Sequence, residues 1–179
     1  MPDSCDLILC GGRGGGRSTA SFLLALRTAQ EGKEVAFISP DFRESEQVKQ
    51  CISDTLESIY SAIGGDQFRA FYQLPVNPDK SCLSRISYYE YNLPRSEGHK
   101  YLAIVRNNVP IPEHHLGRIV VDGGSDRVEH YSHRPWRMWA WCPSTYKDNP
   151  YLPSDYTDRL WQAADGDTAL YKSWTAGTW

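Results

Sequence analysis

Apolar and polar positions along this chain predict alternating strands and helices. Asp6 to Cys10, "DLILC", is a short apolar run ending in glycines, which suits a buried strand. From Ser18 onward, "STASFLLALRTAQEGK" places Phe22, Leu23, Leu26 and Ala29 at helical spacing and stops at Gly32, where a glycine C-cap belongs. "EVAFISPD", rich in strand formers and ended by Pro40, is a second strand. These three segments make a β-loop-α-β unit, whose strands are expected to be parallel and whose crossover is expected to be right-handed. Asp41 to Ile63 repeats Val48, Ile52, Leu56, Ile59 and Ile63 at spacings of three and four, a helix that Gly64-Gly65 is expected to close.

The pattern from Asp66 to Leu116 is less regular. "RISYYEYNL" and "KYLAIVRNN" read as strands on either side of the polar turn "PRSEGH", which predicts a hairpin. Pro110 and Pro112 break the chain, "GRIVVDGG" is the next strand, and the Trp-heavy "PWRMWAW" reads as another. Two short helical patches close the pattern, Ser154 to Ala164 and Thr168 to Trp174. No repeat, low-complexity segment or dividing linker appears, so a single domain over 1–179 is expected.

Composition narrows the class. With 40% hydrophobic residues, 23% charged residues and six Trp, the chain has the make-up of a folded globular domain, not a disordered one. A formal net charge of -3 gives no global attraction for nucleic acid or anionic membrane, so a DNA contact would need a local basic patch. The five cysteines (Cys5, Cys10, Cys51, Cys82 and Cys142) are odd in number and form no C-x-x-C pair, which points to a reducing compartment. No 18-residue apolar run occurs, and Met1 to Asp6 lacks the character of a signal peptide. A cytosolic protein with no membrane partner is expected.

The sharpest chemical feature is "CGGRGGGRST", Cys10 to Thr19. A phosphate cradle needs a strand, then glycines whose amides converge on anionic oxygens, then a helix N-terminus. Gly11, Gly16, Arg17 and Ser18 fit G-x-x-x-x-G-[KR]-S, with Gly14 and Gly15 inside the loop and Thr19 following it. On that reading ATP and Mg2+ are the cofactors, Ser18 holds the metal, and Arg17 reaches the β- and γ-phosphates. Arginine keeps the charge of the usual lysine, but its planar fork is bulkier. The same residues also read as a plain glycine-rich turn between strand and helix.

Hydrolysis needs an acid for the metal as well. Asp122, at the end of "RIVVD", is the candidate, since a carboxylate at the C-terminal end of a parallel strand lies where α/β sheets bind ligands. "VDGGSD" reads equally as a strand followed by a tight Asp-Gly turn. The neighbouring position, where many such enzymes carry a water-polarising glutamate, is Gly123; Asp126 and Glu129 lie nearby in sequence but not at the expected spacing.

Other groupings carry less. His114, His115, His130 and His133, taken with Asp122 and Cys142, match no common zinc spacing and read as scattered surface histidines. Trp136, Trp139 and Trp141 alternate as a strand packing into a core or an oligomer interface would, with base stacking the other reading. Arg134 and Arg137 are candidates for an arginine acting in trans in a ring ATPase. Asp148-Asn149-Pro150 reads as an Asx-type turn.

Both ends of the chain resemble one family. "GGRGGGRSTASFLLALRTAQEGKEVAFISPD" is similar to the Walker A region of the large terminase subunit of tailed bacteriophages, whose loops often read G-G-R-G-x-G-K-S. "STYKDNPYLPSDYTDRLWQAADGDTALYKSWTAGTW" resembles the segment closing that family's ATPase domain, with its T-Y-x-D-N-P-x-L-P run and final G-x-W. The helix from Ser45 to Ile63 lies where the family places one after its second strand, and the middle of the chain aligns only by element order. The resemblance implies an α/β fold of P-loop NTPase-like (ASCE) type, a central mostly parallel sheet flanked by helices. It implies an ATP-driven motor in the host cytoplasm, a homo-oligomeric ring docked on the portal protein. That motor moves double-stranded DNA into a capsid, with the small terminase subunit as a further partner. Arg13 and Arg17 would contact phosphates, Ser18 and Asp122 would serve magnesium, and Thr145 to Asn149 would couple hydrolysis to movement or pack beneath the site. The chain departs from the family at Arg17, at Gly123, in the few residues before its first strand, and in lacking a nuclease domain after the G-x-W. An excised domain, a split gene whose nuclease is a separate polypeptide, and a reduced relative that binds without hydrolysing are the alternatives these departures leave.

Overall fold

Cys5–Gly11 forms the first strand, β1, and every one of its residues is buried. The computed structural model describes residues 5–72, 80–107, 109–123, 138–150 and 152–176. Strands and helices follow one another along them as β1, α1 (Arg17–Gln30), β2 (Val35–Ser39), α2 (Phe42–Tyr72), β3 (Ile86–Glu90), β4 (Leu102–Arg106), β5 (Arg118–Asp122), β6 (Met138–Ser144), α3 (Tyr156–Ala163) and α4 (Thr168–Ala176), alternating only as far as β3. The architecture is α/β, with mostly parallel strands flanked by helices. The residues group into two compact units, one made of the chain up to Ser18 and from Asp122 onward, the other of Thr19–Val121.

In the Thr19–Val121 unit the strands lie in the order β3-β2-β4-β5. β2 runs parallel to β3 on one side, with Val35 opposite Ile86, and parallel to β4 on the other, with Val35 opposite Leu102. The expected hairpin is therefore absent: β3 and β4 point the same way and β2 lies between them. Burial explains the choice. Leu102, Ala103, Ile104 and Val105 are each at most 1% exposed, which requires a strand covered on both faces and paired on both edges. β3, half-buried along Ser87 to Tyr89, takes the outer position.

Two helix ends show local chemistry at work. α1 stops as expected at Gly32, whose φ of 81° is the left-handed conformation. The Gly32 amide donates to Ala29 at 3.0 Å and the Lys33 amide to Thr28 at 3.2 Å, the paired bonds of a Schellman cap. α2, by contrast, runs through Gly64-Gly65 to Tyr72 instead of closing there. A helical glycine costs only about 1 kcal/mol relative to alanine, too little to end a helix without a left-handed turn or a proline.

The unit built from both ends of the chain pairs β1 with β6 in parallel, from Cys5 opposite Met138 to Gly11 opposite Ser144. From Met138 onward the Trp-heavy run is thus a strand, as expected; Trp139 is half-buried, and the start of the run, Trp136 included, lies outside the described residues. Past β6, a 3-10 turn at Tyr146–Asp148 leads to α3 and α4, near the two helical patches expected. α3 and α4 share a small core of Leu160, Ala164 and Trp174, with Tyr156 and Tyr171 packed against it. No helix among the described residues is long and apolar enough to cross a membrane.

Candidate functional site

The loop between β1 and α1 sits within the unit formed by the two chain ends, and that unit builds it from both sides. β1 delivers the chain to Gly11, whose φ of 123° turns it away from the strand. A side chain there would overlap the Ser144 carbonyl at the end of β6. The Gly12 amide donates to that same carbonyl at 3.1 Å, and the Arg13 amide donates to Trp174 of α4 at 2.6 Å. The Arg13 guanidinium lies 3.9 Å from the centre of the Trp174 ring, a cation-π contact. Gly14 has a φ of 79°, and a Cβ there would stand 2.7 Å from the Tyr156 hydroxyl of α3. Asn149, just past the 3-10 turn, donates its side-chain amide to the Gly14 carbonyl at 2.9 Å.

These bonds divide the loop amides into two sets. Those of Gly12 and Arg13 are committed to protein carbonyls, and that of Gly15 makes a long 3.4 Å bond to Gly12. No described group accepts from the amides of Gly14 and Gly16. Arg17 opens α1, so its N–H, like the others of that first turn, has no intrahelical acceptor. The second set, together with the positive end of the helix dipole, is what a helix N-terminus offers an anion. Ser18 is half-buried in that turn, and Thr19 beside it is exposed.

Arg17 has a protein partner of its own. Its Nη1 donates to the Gly123 carbonyl at 2.6 Å, and the Gly123 amide donates back to Leu9 of β1 at 3.3 Å. The two positions where the sequence departs from the usual pattern are therefore bonded to each other. A guanidinium carries five N–H donors, so this bond leaves the rest of the fork available. Asp122, immediately before Gly123 and 3% exposed, lies at the C-terminal end of β5 as the sequence reading placed it. At the foot of the loop, burial pushes the Cys10 thiol pKa up, with the Arg17 charge opposing it and Cys142 adding to it.

The segment after β6 is braced locally. Thr145 donates its amide and its hydroxyl to the Asp148 carboxylate at 2.7 and 3.0 Å, and accepts from the Lys147 amide at 3.3 Å. The backbone bond from Thr145, then the hydroxyl bond, hold the Asp148 carboxyl below its ordinary range. The Tyr156 hydroxyl is pushed upward by burial, against the nearby Arg13 charge.

Arg13, Gly14, Arg17 and Ser18 are thus brought into one neighbourhood with Asn149, Tyr156 and Trp174; of these last three the sequence reading singled out only Asn149, within the Thr145 to Asn149 segment that the resemblance set at the site. Asn149 read as part of a local turn; no signal within its own stretch shows that its amide reaches Gly14, 135 positions away. Asp126, Glu129, His130, His133, Arg134 and Arg137 lie outside the described residues. His115 is not a surface residue: it is 2% exposed, with Nε2 3.1 Å from the Arg118 carbonyl. Among the described residues no group of three or more His, Cys, Asp or Glu could hold a metal ion. Magnesium bound with a nucleotide does not require such a group, since one or two protein oxygens plus phosphates and waters complete its shell. Ser18 and Asp122 carry oxygen atoms of the hard kind that such a metal prefers. Comparison with known proteins finds no matching family model and no matching curated protein.

Proposed function

We propose that this chain is an ATPase domain of P-loop, ASCE type, from a viral DNA-packaging motor of the large terminase kind. The observation that carries the reading is the glycine loop between the buried β1 and the open N-terminus of α1, with amides of Gly14, Gly16 and Arg17 left for an anion and a buried Asp122 in the same unit. ATP phosphates would take those amides and the unspent donors of Arg17. Ser18 and Asp122 would hold Mg2+, which when bound supplies charge neutralisation of the transferring phosphoryl group. The wider setting rests on resemblance at the two ends of the sequence: double-stranded DNA, a portal protein, a small terminase subunit and a ring of copies in the host cytoplasm.

A second reading has its own observation. Arg17 gives one donor to Gly123, and position 123 offers a carbonyl where a water-polarising carboxylate would serve hydrolysis. Loss of such a general base slows turnover by about a hundredfold or more. A terminase-like module that binds nucleotide without hydrolysing it fits this pair of residues.

A calorimetric titration with ATP and Mg2+, run beside a phosphate-release assay, tests both. The motor reading expects binding with turnover, and Ser18→Ala weakening binding by about tenfold through loss of a charge-assisted contact. Binding with no phosphate release selects the non-hydrolysing module. No nucleotide binding by the wild-type chain overturns both readings.

A further inference from the structure

We infer that Asn149 is the positioning residue of the glycine loop, fixing the facing of the Gly14-Gly15 peptide so that the Gly15 amide serves a bound phosphate. The ligand part of this inference rests on the function proposed above; the positioning part stands on the bonds alone.

A peptide unit is planar and trans, so its carbonyl and its N–H point to opposite sides. Asn149 Nδ2 donates to the Gly14 carbonyl at 2.9 Å, which fixes one side of that plane and therefore the direction of the Gly15 amide on the other. Only the nitrogen of the Asn149 side chain suits this contact, since a carbonyl accepts and does not donate. The peptide needs such a restraint because glycine lies on both sides of it. Gly14 stands at φ 79° and Gly16, next but one, at φ 77°. Glycine adopts either sign of φ without steric cost, so the Gly14-Gly15 plane has no side chain of its own to hold its orientation.

The Gly15 amide is also the one loop amide whose present bond is weak. Its 3.4 Å separation from the Gly12 carbonyl lies beyond the usual N–H···O range, unlike the 2.6 Å bond of Arg13 and the 3.1 Å bond of Gly12. An anionic oxygen at the head of α1 would exchange readily for that acceptor, whereas the Gly12 and Arg13 amides are held by Ser144 and Trp174. Asn149 is itself held in place. Its backbone amide donates to Tyr146 at 3.2 Å, and the Thr145–Asp148 capping box fixes the turn that carries it.

The test compares the full-length wild-type chain with Asn149→Ala and Asn149→Leu; the leucine is close to asparagine in size and has no donor. Two quantities are measured: the amide resonance and exchange rate of Gly15 without ligand, and the affinity for ATP·Mg2+. Both variants are expected to shift the Gly15 resonance and speed its exchange. Affinity should fall by about tenfold, while the melting midpoint stays within about 2 °C of wild type. A role confined to stability would move the midpoint and leave Gly15 alone. Gly15 and ATP affinity unchanged in both variants would overturn the inference. If neither wild type nor variant binds ATP but Gly15 still shifts, the positioning role stands and the nucleotide reading fails.

Discussion

Asp148 and Asn149 show how much a single turn can carry. The Asp148 carboxylate accepts two bonds from Thr145, and those bonds hold its pKa below the ordinary value of 3.8. A carboxyl whose folded pKa is depressed contributes stability that is fully present above its unfolded value and is lost as pH falls through the folded one. Asp148→Asn removes that contribution. Wild type is therefore expected to exceed Asp148→Asn in urea midpoint near neutral pH, and the gap should narrow below about pH 4. A gap of constant size down to the acid limb would show that the carboxylate is not what Thr145 depends on. In the sequence only the resemblance attached a function to Thr145 to Asn149; the residues of the turn did not. "DNP" has the composition of a turn, and the turn is there, but the reach of Asn149 to Gly14 depends on β6 lying beside β1.

At the scale of elements, what the sequence made legible was what is local. The glycine loop, the helix after it and the Gly32 cap were readable because each is fixed by residues within a few positions of itself. The hairpin reading failed because strand order is not local: two apolar runs consecutive in the pattern are separated in space by β2, which the chain laid down earlier. Gly64-Gly65 was read as a stop, and the helix passes through it. This difference makes a testable claim. If both glycines are helical, Gly65→Ala is expected to raise the stability of the chain by about 0.5–1 kcal/mol, because alanine loses less backbone entropy in a helix. A urea melt measures it. A loss of stability on this substitution would mean that the position needs a conformation closed to alanine.

At the scale of the molecule, the chain ends make one unit and the middle another, with the division falling inside α1 and inside β5. The candidate loop belongs to the first unit, so its geometry depends on residues near the far end of the chain. Trp174 matters most among these. It is 9% exposed, belongs to the core with Leu160 and Ala164, accepts from the Arg13 amide through its carbonyl, and lies beneath the Arg13 guanidinium. Truncating a buried tryptophan to alanine costs about 3–5 kcal/mol. Trp174→Ala is expected to lower stability by about 3 kcal/mol, the low end of that range because the core it leaves is small. Hydrogen exchange then shows where the loss falls. If the two units open separately, amides of Cys5–Gly11 and Tyr156–Ala163 should lose protection, while those of Val35–Ser39 and Leu102–Arg106 keep theirs. Equal loss in both sets would mean that the chain opens as one cooperative whole. In that case Trp174 would support the entire fold and not only the unit that carries the loop.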